Sequence, residues 1–152
     1  MTTTRTIRDS ATVGAPAALV YRIIADYREH HPGIVPPKYF RSIHVEEGGV
    51  GAGTRTTVTM TVLGTTQVLT HLIREPEPGR VLEEVDAAGF STTRFTVDPE
   101  NGGREARVTI ETTFTVRPGP LGMLQAWATA AVLRRIYPLE LARLDQYARS
   151  RP

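Results

Sequence analysis

His71, Glu84 and Tyr39 are the residues whose types suit proton transfer. His71 lies in an alternating run with Leu69 and Ile73 on its own side, which places it on an inward face. An imidazole facing an apolar cavity can act as acid or base near neutral pH. The competing reading is a hydrogen-bonded residue of the core or lining. Glu84 and Asp86 share a side with Leu82, and the register of the strand decides whether that side faces inward. If Val81 and Val85 face inward instead, both carboxylates are solvated, so a shift of one residue decides the matter.

A second polar cluster holds Asp26, Tyr27, Glu29, His30, His31 and Tyr39. On a helix, Asp26 and His30 share a face at i, i+4, while His31 points about 100° away. A metal site needs three or four converging ligands and the sequence offers two, so no metal is expected. These histidines either cap a short helix and seat the next loop, or gate a cavity mouth. Other chemistries drop out. The absence of cysteine excludes disulfides, thiolate metal sites and a cysteine nucleophile. Ser10, Ser42, Ser91 and Ser150 sit in no nucleophile motif. Gly49-Val50-Gly51-Ala52-Gly53 lacks the third dinucleotide-spaced glycine and a following Lys-Ser/Thr, and strands flank it. It is a hairpin turn, and no cofactor is expected.

The elements that must position these residues read clearly. A strand over Arg5 to Val13 leads through Gly14-Ala15-Pro16 into a helix carrying Leu19, Val20, Ile23 and Ile24 inward, then a second short helix and the rigid Pro36-Pro37 loop. Six strands follow: Tyr39 to Glu47, Thr56 to Val62, Thr66 to Glu75, Arg80 to Asp86, Phe90 to Val97 and Arg107 to Val116. The turns Gly64, Pro76-Glu77-Pro78-Gly79 and Asn101-Gly102-Gly103 separate them. The last strand alternates cleanly, as one wet and one buried face of an antiparallel sheet require. Pro120 to Ser150 is one long helix. Its second half is amphipathic, and its first half, from Leu121 to Leu133, is apolar nearly all round and should be enclosed on more than one side. Pro138 should kink it. The layout is α+β: a seven-stranded antiparallel sheet with two short helices after strand 1, curved around the long helix.

At 152 residues, the chain makes a single domain, 1–152, with a real core. Its net charge is +2, and its 17 arginines and one lysine are scattered, so no nucleic-acid partner is expected. No apolar run reaches the length of a membrane span, so stable membrane insertion is not expected. The first nine residues carry no apolar signal segment, which makes the cytoplasm the default location.

The order of elements resembles the START / polyketide-cyclase / birch-pollen-allergen superfamily, SRPBCC, with its helix-grip fold. The matching stretches are Val13-Gly14-Ala15-Pro16 into Val20-Tyr21-Arg22-Ile23-Ile24-Ala25-Asp26, then Gly48 to Thr54, then Glu75-Pro76-Glu77-Pro78-Gly79-Arg80-Val81-Leu82, and the terminal helix. Within it the chain most resembles bacterial members described as polyketide cyclase/dehydrase or lipid transport. The resemblance implies an apolar or aromatic small molecule between sheet and helix, without metal or nucleotide.

On that layout the expected ligand contacts are Met60, Ile73, Phe95, Ile110 and Phe114 from the sheet and Met123 and Trp127 from the helix, with His71, Thr112 and Gln125 setting orientation. The first functional reading is binding of a small hydrophobic or aromatic ligand in the cavity between sheet and helix, with transport as its extension. The second is an aromatase/cyclase-like enzyme using His71 with Glu84 or Tyr39. The third is a protein-interaction module. The chain is expected to be a monomer or a homodimer. The apolar half-helix suits a dimer contact or transient membrane contact if the His30–Pro37 loop leaves it uncovered.

Overall fold

The computed structural model describes residues 3–151. The first strand, β1 (Thr3–Val13), is followed by helix α1 (Ala17–Ala25) and a single 3₁₀ turn at His31–Gly33. The strands β2 (Phe40–Glu47), β3 (Arg55–Val62), β4 (Thr65–Glu77), β5 (Val81–Asp86), β6 (Ser91–Glu100) and β7 (Glu105–Val116) come next, and α2 (Gly119–Arg149) closes the chain. The strands form one antiparallel sheet in the order β1-β7-β6-β5-β4-β3-β2. The α+β, helix-grip expectation therefore holds, and the second short helix is the 3₁₀ turn. No helix among the described residues is long and apolar enough to cross a membrane.

Alternation dictates the faces. On β7, Val108, Ile110, Thr112 and Phe114 are buried under the helices, while Glu111 and Thr113 face outward. On that outer face Thr113 meets Thr6 at 2.9 Å and Glu111 pairs with Arg8 of β1. β5 carries Leu82, Glu84 and Asp86 toward the helices and Glu83 outward, where Arg74 and Arg94 hold its carboxylate at 3.1 and 2.7 Å. The inward alternative for the two carboxylates is thus the one realised. Register shifts between Arg74 and Glu77, and twice along β2, interrupt the ladder, as bulges do where a sheet bends.

The core lies between the concave face, α1 and the second half of α2. Val20, Ile23 and Ile24 of α1 meet Phe95, Ile110 and Val108 of the sheet and Ile136, Leu141 and Leu144 of α2. The first half of α2 is different. Only Gly122, Ala126 and Ala130 are buried there, whereas Leu121, Met123, Leu124 and Trp127 are exposed. The expectation that this half is enclosed on several sides does not hold. Apolar composition all round a helix does not oblige every face to be covered, since much of any folded surface is apolar.

The glycine-rich turn ties α1 to the sheet. Gly51 N–H donates to the Ala25 carbonyl at 3.0 Å and Tyr27 N–H to the Gly49 carbonyl at 2.9 Å. A side chain at Gly49 would run into Arg28, and its positive φ of 149° and the 68° of Gly51 suit glycine. Glu75 clamps the same corner, accepting from Tyr21 Oη–H at 2.6 Å and Ala52 N–H at 2.7 Å. This corner fixes where Tyr27 and His31 enter the interior.

Candidate functional site

A cavity of about 560 Å³ lies between the concave sheet and α2. Its walls are mainly apolar: Val58, Met60 and Val62 of β3, Leu69 of β4, Phe95 and Phe114 from the middle of the sheet, and Ala126, Val132, Leu133 and Ile136 of α2. α2 contributes at three- and four-residue steps because only one stripe of a helix can face a given layer. That periodicity explains two misplacements. Gln125 and Thr129 fall on the lining stripe, but Met123 and Trp127 fall off it, and they are 69% and 63% exposed.

Among the other expected residues, Met60, His71, Phe95, Thr112, Phe114 and Gln125 all line the cavity, as does Glu84. Ile73 and Ile110 face inward but are absorbed into the packed core and do not reach the cavity. Tyr39 is buried in the same core, away from the cavity, and its carbonyl accepts from Thr61 N–H at 2.8 Å. The proton-shuttle pair of His71 with Tyr39 is therefore not assembled, while His71 and Glu84 are brought to one cavity.

The floor is more polar than the sequence reading foresaw. Tyr27 donates its hydroxyl hydrogen to Glu84 Oε1 at 2.6 Å, and its ring stacks on His31 with centroids 4.3 Å apart. His31 Nδ1 lies 2.7 Å from the Ile24 carbonyl, which fixes Nδ1 as the protonated nitrogen of the neutral ring. Nε2 is then an acceptor pointing at Glu84 Oε1 from 3.5 Å. Burial lowers the pKa of His31; the Glu84 charge and the carbonyl of Ile24 oppose that shift and His71 adds to it. Burial first, then Glu84, raises the Tyr27 phenol well above its ordinary value.

The helix side supplies Tyr137 and Glu140. The Tyr137 hydroxyl is hydrogen-bonded to Thr112 Oγ1, which meets Thr93 Oγ1 at 2.7 Å. Glu140 is 5% exposed, and its carboxyl group makes no hydrogen bond among the described residues. Burial, reinforced by the charge of Glu84, pushes it up to about 8, so it holds its proton at neutral pH. Glu140 escaped the sequence reading although the signal was present: it interrupts the apolar stripe Ile136, Tyr137, Leu141, Leu144 at a buried step. Asp86, by contrast, lines the cavity but is committed to the turn, accepting from Ala88 N–H and Phe90 N–H, each at 3.2 Å.

The other histidine cluster lies outside the cavity. Asp26, Glu29 and His30 bring one potential metal-ligating atom each within 4.8 Å of one another. Asp26 Oδ1 accepts the N–H of Arg28 at 3.1 Å and of Glu29 at 2.9 Å, and His30 Nδ1 meets the Tyr147 hydroxyl at 2.8 Å. This is a helix end and a loop seat, the first of the two roles set out for it. His31 does part from His30, which stays 4.0 Å from Asp26 Oδ2, but not by helical spacing: α1 stops at Ala25, and a bent chain turns His31 into the core.

A donor that stays protonated in an apolar cavity, hydroxyls held in a chain, and a histidine on the opposite wall can bind an oxygen-bearing ligand and move protons to or from it.

Comparison with known proteins narrows the context. The family model described as polyketide cyclase / dehydrase and lipid transport matches residues 4–149. A granaticin polyketide synthase bifunctional cyclase/dehydratase of Streptomyces virginiae is 50% identical over 50 residues, which are 33% of this chain and 15% of that protein. The chain thus spans a small part of that relative's length. The solved Zhui aromatase/cyclase from a Streptomyces species superposes with TM-score 0.81 at 20% identity, covering 98% of this chain and 96% of that one. KanY superposes with TM-score 0.83 at 24% identity, covering 97% and 99%. Norcoclaurine synthase from Thalictrum flavum, solved with dopamine and hydroxybenzaldehyde, gives 0.74 at 15%, covering 99% and 90%. At these identities the structural likeness speaks for the fold alone.

Proposed function

The chain belongs to the polyketide cyclase / dehydrase and lipid transport family, and from that premise we propose that its cavity binds a small, largely apolar or aromatic molecule with an oxygen-bearing end at the floor. The observation that carries this reading is the cavity itself: about 560 Å³, apolar walls, and polar groups gathered at Tyr137, Glu140, Thr112 and Glu84. That size and that division of labour suit a drug-sized ligand, with burial supplying affinity and the few polar groups supplying orientation. Displacement of an apolar dye by a panel of aromatic polyketides, fatty acids and sterols tests it. One class should bind saturably with little salt dependence, and Thr129→Phe, which fills the cavity from α2, should abolish binding while leaving the fold intact. Equal binding to the filled variant would overturn the reading.

A second reading is favoured by the protonated Glu140. On a poly-β-ketone, a base removes a proton from the carbon between two carbonyls. The resulting carbanion attacks a third carbonyl carbon, and the new alkoxide takes up a proton. Loss of that hydroxyl with a further α-proton releases water and leaves a double bond. In this reading His71 serves as the base and Glu140 as the proton donor to alkoxide and leaving hydroxyl, with the Tyr137 hydroxyl polarising the enolate oxygen; that all three line the cavity, and that Glu140 holds its proton, supports it. Glu140→Gln should then keep ligand affinity and lose turnover. His71→Ala should do the same. Undiminished turnover in both variants would remove this reading and leave the binding one standing.

A further inference from the structure

The exposed half of α2 joins the cavity mouth in one apolar surface, to which neither this half-helix nor the β3–β4 hairpin brings a carboxylate. The mouth is rimmed by exposed residues that also line the cavity: Leu63 at the tip of the β3–β4 hairpin, Phe90 in the β5–β6 turn, Arg117 after β7, and Gln125 of α2. Leu63 is 82% exposed. Beside the mouth, Met123, Leu124, Trp127 and Ala131 fall within an arc of about 100° on the helix, taking about 100° per residue. That arc faces away from Ala126, Thr129 and Glu140, which look into the cavity. Leu121 and Leu124 are 68% and 61% exposed.

The charges that α2 and the end of β7 bring to this surface have one sign. Arg134 and Arg135 lie at the two edges of the same arc one turn further on. Among the described residues, they and Arg117 form no ion pair. Residues 112–139 and 48–74 contain no aspartate or glutamate, and Glu140, which follows the first range, is buried. Nor does the His30–Pro37 loop cover the face. It is seated on the opposite end of α2, where His30 meets Tyr147 at 2.8 Å and Arg143 Nη2 donates to the Gly33 carbonyl at 3.1 Å.

The geometry points to an anionic lipid surface as the occupant of this face, with the cavity mouth held against the bilayer. A tryptophan and long aliphatic side chains flanked by arginines form the pattern of a helix lying in the membrane interface, its apolar face at the acyl boundary and its cations among the headgroups. The long arginine stems reach outward from the apolar arc without burying their charge. A second copy of the chain would set Arg134 and Arg135 of both copies close together with no carboxylate from the exposed half of α2 to meet them, which disfavours a symmetric dimer there. Docking in this orientation lets an apolar ligand pass between bilayer and cavity without crossing water.

The sole tryptophan is Trp127, so one residue reports on the face. The full chain is mixed with vesicles of phosphatidylcholine alone and of phosphatidylcholine with phosphatidylglycerol. Emission and co-sedimentation are followed, and oligomeric state is measured by sedimentation equilibrium without lipid. The expected result is a blue shift and co-sedimentation with the anionic vesicles, weakened by salt. The double variant Arg134→Glu/Arg135→Glu should lose about ten-fold or more in vesicle affinity. Trp127→Ser should lose co-sedimentation to a similar degree. Both should keep the parent's circular dichroism and its dye binding in vesicle-free solution. Failure of the parent to co-sediment would overturn the proposal, as would undiminished binding in both variants. A lipid-free dimer that Trp127→Ser converts to monomer would assign the face to a second copy instead. Dye binding without vesicles reads the cavity separately, so loss of one reading does not carry the other with it.

Discussion

Glu84 on β5 and Glu140 on α2 open on the same cavity from its two layers, and the charge of one helps to keep the other protonated. This relationship has a sign in the stability of the fold. In the unfolded chain Glu140 ionises near its ordinary 4.5; in the folded chain it holds its proton until about 8. The folded state therefore binds the extra proton in that window. The stabilisation is complete below 4.5, falls as pH rises, and is gone above about 8, at a slope of about 1.4 kcal/mol per pH unit for one proton. His31 acts in the opposite sense: kept neutral by burial, it contributes stability above 6.5 that is lost as pH falls below that value. Glu140→Gln removes only the first effect. Urea unfolding at pH 5, 6.5 and 8 should show the variant gaining on the parent as pH rises and exceeding it at pH 8. Parallel profiles would refute the assignment.

Tyr27→Phe tests the other end of the floor. Glu84 loses its 2.6 Å donor, and the His31 ring remains 3.5 Å from Oε1. The cost should be about 1–3 kcal/mol, the range for leaving a buried acceptor without its partner. A merely structural loss would stop there. With the phenol gone, the Glu84 charge acts on His31 with less competition, so the His31 titration followed by NMR should move upward. An unchanged His31 titration would show that the three groups are not one network.

Much of the fold was legible because the sheet announces itself in period two. The face of β7, the inward set Leu69, His71 and Ile73, and the pairing of Glu84 with Leu82 all follow from alternation once one buried residue is assigned. The floor was less legible for two physical reasons. Hydrophobic periodicity counts apolar residues, so a carboxylate such as Glu140 within the stripe is read as an interruption and not as a lining group. Helical spacing also cannot be carried past a helix end, and the turn after Ala25 is what brings Tyr27 and His31 inward. Trp127 shows the converse error, since an apolar residue is permitted inside but not compelled there.

Trp127 is accordingly a poor witness to the cavity. With 63% of its surface exposed, its emission in the lipid-free chain should resemble that of indole in water, and a ligand filling the cavity should quench it little. Trp127→Phe should leave dye affinity unchanged and stability within about 0.5 kcal/mol. A marked loss of ligand affinity in that variant would place the ligand on the outer face of α2.

Leu144→Ala measures the packed half of the same helix. Leu144 is fully buried among α1, the sheet and α2, where truncation of a leucine costs about 2–5 kcal/mol. Chemical denaturation should report that loss with little change in ligand affinity, because Leu144 does not line the cavity.

Gly122 links the start of α2 to the cavity mouth. A β-carbon there would collide with the carbonyl of Arg117, which is backbone and cannot swing aside. Alanine is the better helix former by about 1 kcal/mol, so an unobstructed site would be stabilised by the change. Here the collision opposes that gain, and overpacking of this kind costs about 1–3 kcal/mol. Gly122→Ala should therefore lower the melting temperature, and it should do so by displacing the first turn of α2 from the end of β7. Gly122 and Arg117 both line the cavity, so the displacement widens its mouth and ligand release should quicken. Gly119→Ala is the control: its φ of 88° makes alanine costly, yet its β-carbon would meet nothing. It should lose stability without a comparable change in release rate. Equal release rates in the two variants would separate the mouth from the helix start.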